Sequence, residues 1–150
     1  MDVNELYQEV ILDHYKNPRN YGKLEPHNHS AEGHNPLCGD HLDIYLQIEN
    51  DIITDIKFQG DGCAISKSSA SIMTTLLKGK PVEFARELFS KFHYVVTSDT
   101  NAKIDEDSLG KLAVFAGVRE FPARVKCASL AWHTMTTALD DSSEKFVTTE

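Results

Sequence analysis

The chain holds 150 residues, 41% of them apolar and 25% charged, which suits one soluble domain with a core of its own. Its net charge of −8 comes without any cluster of Lys or Arg, and this argues against a nucleic-acid partner, whose phosphates are met by clustered cations. No apolar run is long enough to cross a bilayer, and three cysteines leave at least one outside any disulfide scheme, so a reduced, cytoplasmic setting away from membranes is expected.

The acidic, amphipathic opening MDVNELYQEV lacks the basic and hydrophobic regions of a secretory signal. From Val3 to Tyr15, Leu6, Val10, Ile11 and His14 or Tyr15 recur at helical spacing; Asp2 or Asn4 is the candidate cap and NPRN, Asn17 to Asn20, the stop. Tyr21 to Pro36 reads as loop with at most one short edge strand. HLDIYLQI then alternates Leu42, Ile44, Leu46 and Ile48 against Asp43, Tyr45 and Gln47, the period of a half-buried strand. After a turn at Glu49 to Asp51, IITDIKFQG supplies a second strand with Ile52, Thr54, Ile56 and Phe58 on one face, so the two form an antiparallel hairpin.

Ile65, Ile72, Leu76 and Leu77 mark a helix that ends at Gly79, and the small residues Ser66 to Ser71 would let it pack closely on a neighbour. Pro81 suits the first turn of a helix from Val82 to about Phe92, with Ala85, Leu88, Phe89 and Phe92 on its buried side. TSDTNAKIDEDS is a polar loop long enough to count as an insertion. A short helix is expected from Leu109 to Val118. Phe121-Pro122 breaks the chain before a last helix, Ala123 to Leu139, with Val125, Ala128, Trp132, Met135 and Leu139 on one stripe. Residues 1–140 thus read as a single domain and 141–150 as a polar, disordered tail. Strands first and helices later predict an α+β fold rather than βαβ units.

The cysteines carry the chemistry. Cys38 lies in the loop entering the hairpin and Cys63 just past its second strand, so antiparallel pairing should bring them together at one end of the sheet. Cys127 lies in the first turns of the last helix. Helix starts favour thiolates, the form that binds metal and attacks electrophiles. Cys38 and Asp40, two apart on an extended segment, project to one side and can chelate one ion. With Cys63 and Cys127 they make three soft ligands and one hard one, a set that suits tetrahedral zinc. The competing reading of each cysteine is a small buried hydrophobe.

Other candidates have plainer readings. His27, His29 and His34 fall in the loop as solvated groups, His41 starts a strand near Cys38, and His14, His93 and His133 sit on helices as boundary residues. The serines of Ser66 to Ser71 are explained by packing, GDGC lacks the pattern and lysine of a phosphate loop, and no hydrolase triad is readable.

LYQEVILDHYKNPRNYG, NPLCGD, FQGDGCAISKSSASIMT and FPARVKCASLAW closely resemble the U-type scaffold proteins of iron–sulfur cluster biogenesis, and within them the SufU branch. The resemblance spans about Leu6 to Trp132. It implies an IscU-like α+β fold, a small three-stranded antiparallel sheet packed against several helices, whose third strand comes from the loop before Cys38. It implies zinc held by Cys38, Asp40, Cys63 and Cys127, and a sulfur acceptor that takes persulfide sulfur on Cys38 from a SufS-type cysteine desulfurase. Such a protein works as a sulfurtransferase partner of that enzyme and hands sulfur to downstream Suf cluster-assembly proteins. The alternative is a scaffold on which a [2Fe-2S] or [4Fe-4S] cluster forms, with iron on the same ligands. Lys126 stands where housekeeping IscU-type scaffolds carry histidine, FPARVK replaces their chaperone-recognition stretch, and the TSDTNAKIDEDS segment is absent from them; these features favour the first function. Arg124 and Lys126 either offset the negative charge of the site, dock an acidic partner surface, or simply begin a solvated helix.

Overall fold

The hairpin is the framework on which the rest is laid. In the computed structural model, which describes residues 3–140 and 145–148, β2 (Asp40–Glu49) and β3 (Ile52–Asp61) pair antiparallel. Asn50 and Asp51 both take positive φ, 52° and 62°, the conformation of a two-residue turn whose twist matches that of the strands. The expected alternation holds along β2, where Leu42, Ile44 and Leu46 are fully buried. Tyr45, expected outward, is buried as well, covered by the ring of His27 at 5.0 Å. On β3 the expected face slips. Register shifts between Gln47 and Ile48, which leaves Thr54 as an extra residue, so Ile53 rather than Ile52 or Thr54 joins Ile56 and Phe58 in the core. A bulge inverts side-chain parity beyond it, and a strict period of two cannot follow.

The third strand expected from the resemblance is present. β1 (His29–Asn35) pairs antiparallel with β2 from His29↔Leu46 to Asn35↔Asp40. It escapes a hydrophobicity reading because its inward positions, Ala31, Gly33 and Asn35, are small or polar. There is no room for more: a Cβ on Gly33 would collide with Thr134 Oγ1 and come within 3.0 Å of Leu130 Cδ1. Within the 141–150 tail, Lys145–Thr148 form β4, parallel to β1, for a sheet order β3-β2-β1-β4, while 141–144 and 149–150 lie outside the described residues.

Those two colliding side chains belong to α5 (Pro122–Asp140), the central helix, which packs on β1, β2, α2 (Ala64–Leu77) and α3 (Val82–Thr97). Ala128, Trp132, Met135 and Leu139 are buried as the stripe predicts, but so are Cys127, Leu130, Ala131, Thr134 and Ala138, because neighbours surround the helix. Trp132 stacks on Phe92 at 4.9 Å and donates to Ser69 Oγ at 3.2 Å. Ser69 donates to the carbonyl of Ala128 at 2.7 Å. The small-residue run of α2 therefore does bring two helix backbones close. α3 runs past Phe92 to Thr97 because Val95 and Val96 are also buried. The acidic insertion contributes a single helical turn, α4 (Glu106–Leu109), and the expected short helix is a 3-10 helix, Gly110–Glu120.

α1 (Val3–Lys16) docks on α2; Asp2, one of its two candidate caps, lies outside the described residues. The joint is polar. Ser71 Oγ accepts from the Arg19 N–H at 2.9 Å and lies 2.7 Å from Nδ1 of buried His14. Burial, aided by Arg19 and Lys111, lowers the His14 pKa to about 4, so the folded chain holds this ring neutral in its hydrogen bond with the Ser71 hydroxyl.

Two expectations follow. A group with a depressed folded pKa that must charge on unfolding stabilises the fold fully above its unfolded value near 6.5 and loses that contribution as pH falls toward 4. Urea unfolding followed by the emission of the single tryptophan should therefore show stability falling between pH 7 and pH 4, by up to about 3 kcal/mol from His14, and His14→Gln should flatten that slope. Gly33→Ala should cost about 1–3 kcal/mol by overpacking, read as a lower urea midpoint with an unchanged slope.

Candidate metal centre

The β1–β2 turn places the site. Asn35 closes β1, Asp40 opens β2 as its cross-strand partner, and the intervening turn carries Cys38, tied by Gly39 N–H donating to the Asn35 carbonyl at 2.9 Å. Gly39 has φ +74°, a conformation that glycine reaches without steric cost. Cys38 is exposed. At the neighbouring strand end, His41 pairs with Asp61, so Gly62 and Cys63 come up beside Asp40, as antiparallel pairing requires. The Cys63 N–H donates to Asp40 Oδ1 at 2.9 Å. Gly62 is needed there, since a Cβ would stand 2.8 Å from Asp40 Oδ1 and 3.1 Å from Ser66 Oγ. From the other side, α5 presents Cys127, whose Sγ–H donates to Cys38 Sγ at 3.3 Å.

Ligand atoms of Cys38, Asp40 and Cys127 lie within 4.8 Å of one another. Cys63 stands beside this cluster without joining it, because its sulfur caps α2, accepting from the Ser66 N–H at 3.4 Å. The structure thus brings three of the four sequence-derived residues together and places the fourth at the adjoining helix start. His41 does not enter: as the next residue after inward-facing Asp40 it points to the opposite face of the sheet, where its Nε2 lies 3.3 Å from Glu32 and 3.5 Å from Asp43. Arg124 stacks on the exposed Phe121 ring at 4.5 Å.

The electrostatics fit a divalent cation. Asp40 is fully buried, and none of the ion pairs among the described residues involves it. Buried carboxylates are normally paired or bound to metal. Cys127 was expected to favour the thiolate as a helix-start residue. Instead it lies in the second turn and is buried, and burial pushes its thiol well up, reinforced by hydrogen bonds with Cys38 and Asp40 and by the charge of Cys63. A bound cation reverses that balance, since coordination deprotonates a thiol. Two sulfurs and a carboxylate with a third sulfur alongside are a donor set for tetrahedral zinc.

Two residues escape a sequence reading. Asn35 is fully buried and its Nδ2 donates to Asp40 Oδ2 at 3.2 Å and to Cys127 Sγ at 3.5 Å. In the sequence it is an asparagine before proline, indistinguishable from an ordinary turn former. Ser66 Oγ is buried without a hydrogen-bond partner, beside Gly62; in sequence it is one serine in a run.

The sequence signature of the NifU-like N-terminal domain matches residues 6–128. The chain is 41% identical over 136 residues to the zinc-dependent sulfurtransferase SufU of Bacillus subtilis (strain 168), covering 89% of each chain. It is 38% identical over 141 residues to the iron–sulfur cluster assembly scaffold protein IscU of Streptococcus pyogenes serotype M1, covering 94% of this chain and 87% of that one. Among solved structures it resembles a candidate iron–sulfur cluster assembly scaffold for the SUF system from Fervidobacterium islandicum AW-1, with a TM-score of 0.81, 35% identity, and coverage of 92% of this chain and 99% of that one. No helix among the described residues is long and apolar enough to cross a membrane.

If Asp40 is part of the centre, Gly62→Ala should displace its carboxylate and weaken zinc binding roughly tenfold or more. Competition against a chromophoric chelator measures this; unchanged affinity in a folded variant would remove Asp40 from the ligand set.

Proposed function

Because this chain belongs to the NifU-like N-terminal domain family, we propose that it is a zinc-dependent sulfurtransferase of iron–sulfur cluster assembly, with Cys38 as sulfur acceptor and Cys38, Asp40, Cys63 and Cys127 as zinc ligands. Its donor is a SufS-type cysteine desulfurase, its recipients are downstream Suf cluster-assembly proteins, and its setting is cytoplasmic. The observation that carries this reading is the contrast in exposure within one cluster: Cys38 is open to solvent while Asp40 and Cys127 are buried. Cys63 is half-buried and spent as the cap of α2, so the thiol at the turn is the one most open to a partner's persulfide.

Zinc, when bound, supplies the positive charge that favours thiolate over thiol at its sulfur ligands. The chain's residues do the rest. Gly39 lets the Cys38 side chain swing out while Asp40 stays anchored by the Cys63 N–H and the Asn35 amide. The Cys38 thiolate attacks the outer sulfur of the partner's cysteine persulfide. A sulfur–sulfur bond forms at Cys38, the bond between the outer sulfur and the partner's cysteine breaks, and that cysteine departs as a thiolate; no net oxidation or reduction occurs. The persulfide on Cys38 repeats the exchange with the next acceptor.

The scaffold alternative uses the same cysteines and is separated by what the protein holds. Protein purified without air should be colourless with about one zinc per chain; brown protein with iron and sulfide would favour cluster assembly. Incubation with a cognate desulfurase and cysteine should add sulfur to Cys38, located by mass spectrometry. Cys38→Ala should abolish both that adduct and any stimulation of the desulfurase. A Cys38→Ala protein that still stimulates would overturn the acceptor assignment.

A further inference from the structure

The buried amide of Asn35 holds some parts of the centre and leaves one free. Its two Nδ2 hydrogens go to Asp40 Oδ2 and Cys127 Sγ, and its Oδ1 accepts from the Leu37 N–H at 3.3 Å. Its carbonyl receives Gly39 N–H. One side chain, fully buried, thereby ties together β2, α5 and the base of the turn. An amide suits this place because it offers two donors to two anionic ligands without adding charge of its own. Asp40 has a second anchor in the Cys63 N–H. Among the described residues, Cys38 receives nothing from Asn35, and its one side-chain hydrogen bond is with Cys127.

Resting on the sulfur-transfer reading above, we propose that Asn35 is the positioning residue that makes Cys38 the releasable ligand. It holds Asp40 and Cys127 in place so that the centre keeps its metal after Cys38 has let go. Hydrogen bonds to ligating groups fix their orientation, and losing one typically costs ten- to a hundredfold in metal affinity. Here the consequence is directional. With Asn35 present, departure of Cys38 leaves an organised remainder; without it, Asp40 loses one of two anchors and Cys127 loses its amide donor, and the remainder has no fixed geometry.

The test blocks Cys38 on purpose. The zinc-loaded chain is treated with limiting iodoacetamide, which alkylates the exposed thiol, and native mass spectrometry reads the alkyl adduct and the zinc ion on the same molecule. The natural chain should carry both. Asn35→Leu, of the same branched shape without the amide, should bind zinc ten- to a hundredfold more weakly before alkylation and lose it once Cys38 is blocked. Should the leucine variant fail to fold by circular dichroism, Asn35→Ser decides the question with the same two readings. Zinc retained on the alkylated variant as firmly as on the natural chain would overturn the proposal, as would loss of zinc from the alkylated natural chain. An unalkylated natural chain that binds no zinc would instead sink the sulfur-transfer reading itself.

Discussion

How closely α5 lies against β1 decides the geometry of the candidate metal centre. Gly33 has no side chain, and the space that a Cβ would need is taken by Thr134 and Leu130. Contact at this depth sets the height of the whole helix above the sheet. Asn35, the next inward residue along β1, then meets Cys127, which lies just under one turn before Leu130 on α5. A larger residue at position 33 would lift the helix and draw its sulfur away from a carboxylate fixed by strand pairing. Helix and sheet are therefore joined at two successive inward positions of one strand, the first by shape and the second by hydrogen bonds.

Around that joint the chain gathers a carboxylate and three thiols, and no ion pair among the described residues gives that carboxylate a cation. Cys38, Asp40 and Cys127 converge from a turn, a strand and a buried helix turn, with Cys63 alongside as a helix cap, while Arg124 lies against Phe121. In a protein chosen for stability alone such a cluster would be frustrated, and local frustration of this kind marks functional sites. The fold tolerates it because neutral donors, the Asn35 amide and the Cys63 N–H, orient the carboxylate. The buried thiol of Cys127 is held protonated until a positive charge arrives.

Much of this was legible before any coordinates. Periodicity located β2, β3, α1, α2 and α5, because each buries one regular face of sizeable apolar residues. It failed where burial does not need large side chains. β1 packs through Ala31, Gly33 and Asn35, whose small or polar character reads as loop. The bulge at Thr54 breaks the period that defines a strand face, and Val95 and Val96 carry α3 onward into a segment that looks like the start of a polar insertion. At the site, the three cysteines and Asp40 stood out by type and spacing. The burial of Cys127 and the cap role of Cys63 did not, since both depend on neighbours distant in sequence. Asn35 was hidden most completely, because a buried bridging amide and a turn-forming asparagine have the same letter.

The short strand at the end of the chain has a wider meaning. By lying along β1 it covers backbone N–H and C=O groups between Ala31 and His34 that would otherwise form an open border of the sheet. Uncovered strands invite pairing by other polypeptides, and this one terminates in Asn35, whose amide holds Asp40 and Cys127. Anything that peeled Lys145–Thr148 away, or competed with them for that border, would act on the strand that ends in Asn35. Lys145–Thr148 and the turn that carries Cys38, more than a hundred residues apart in sequence, thus share one mechanical element.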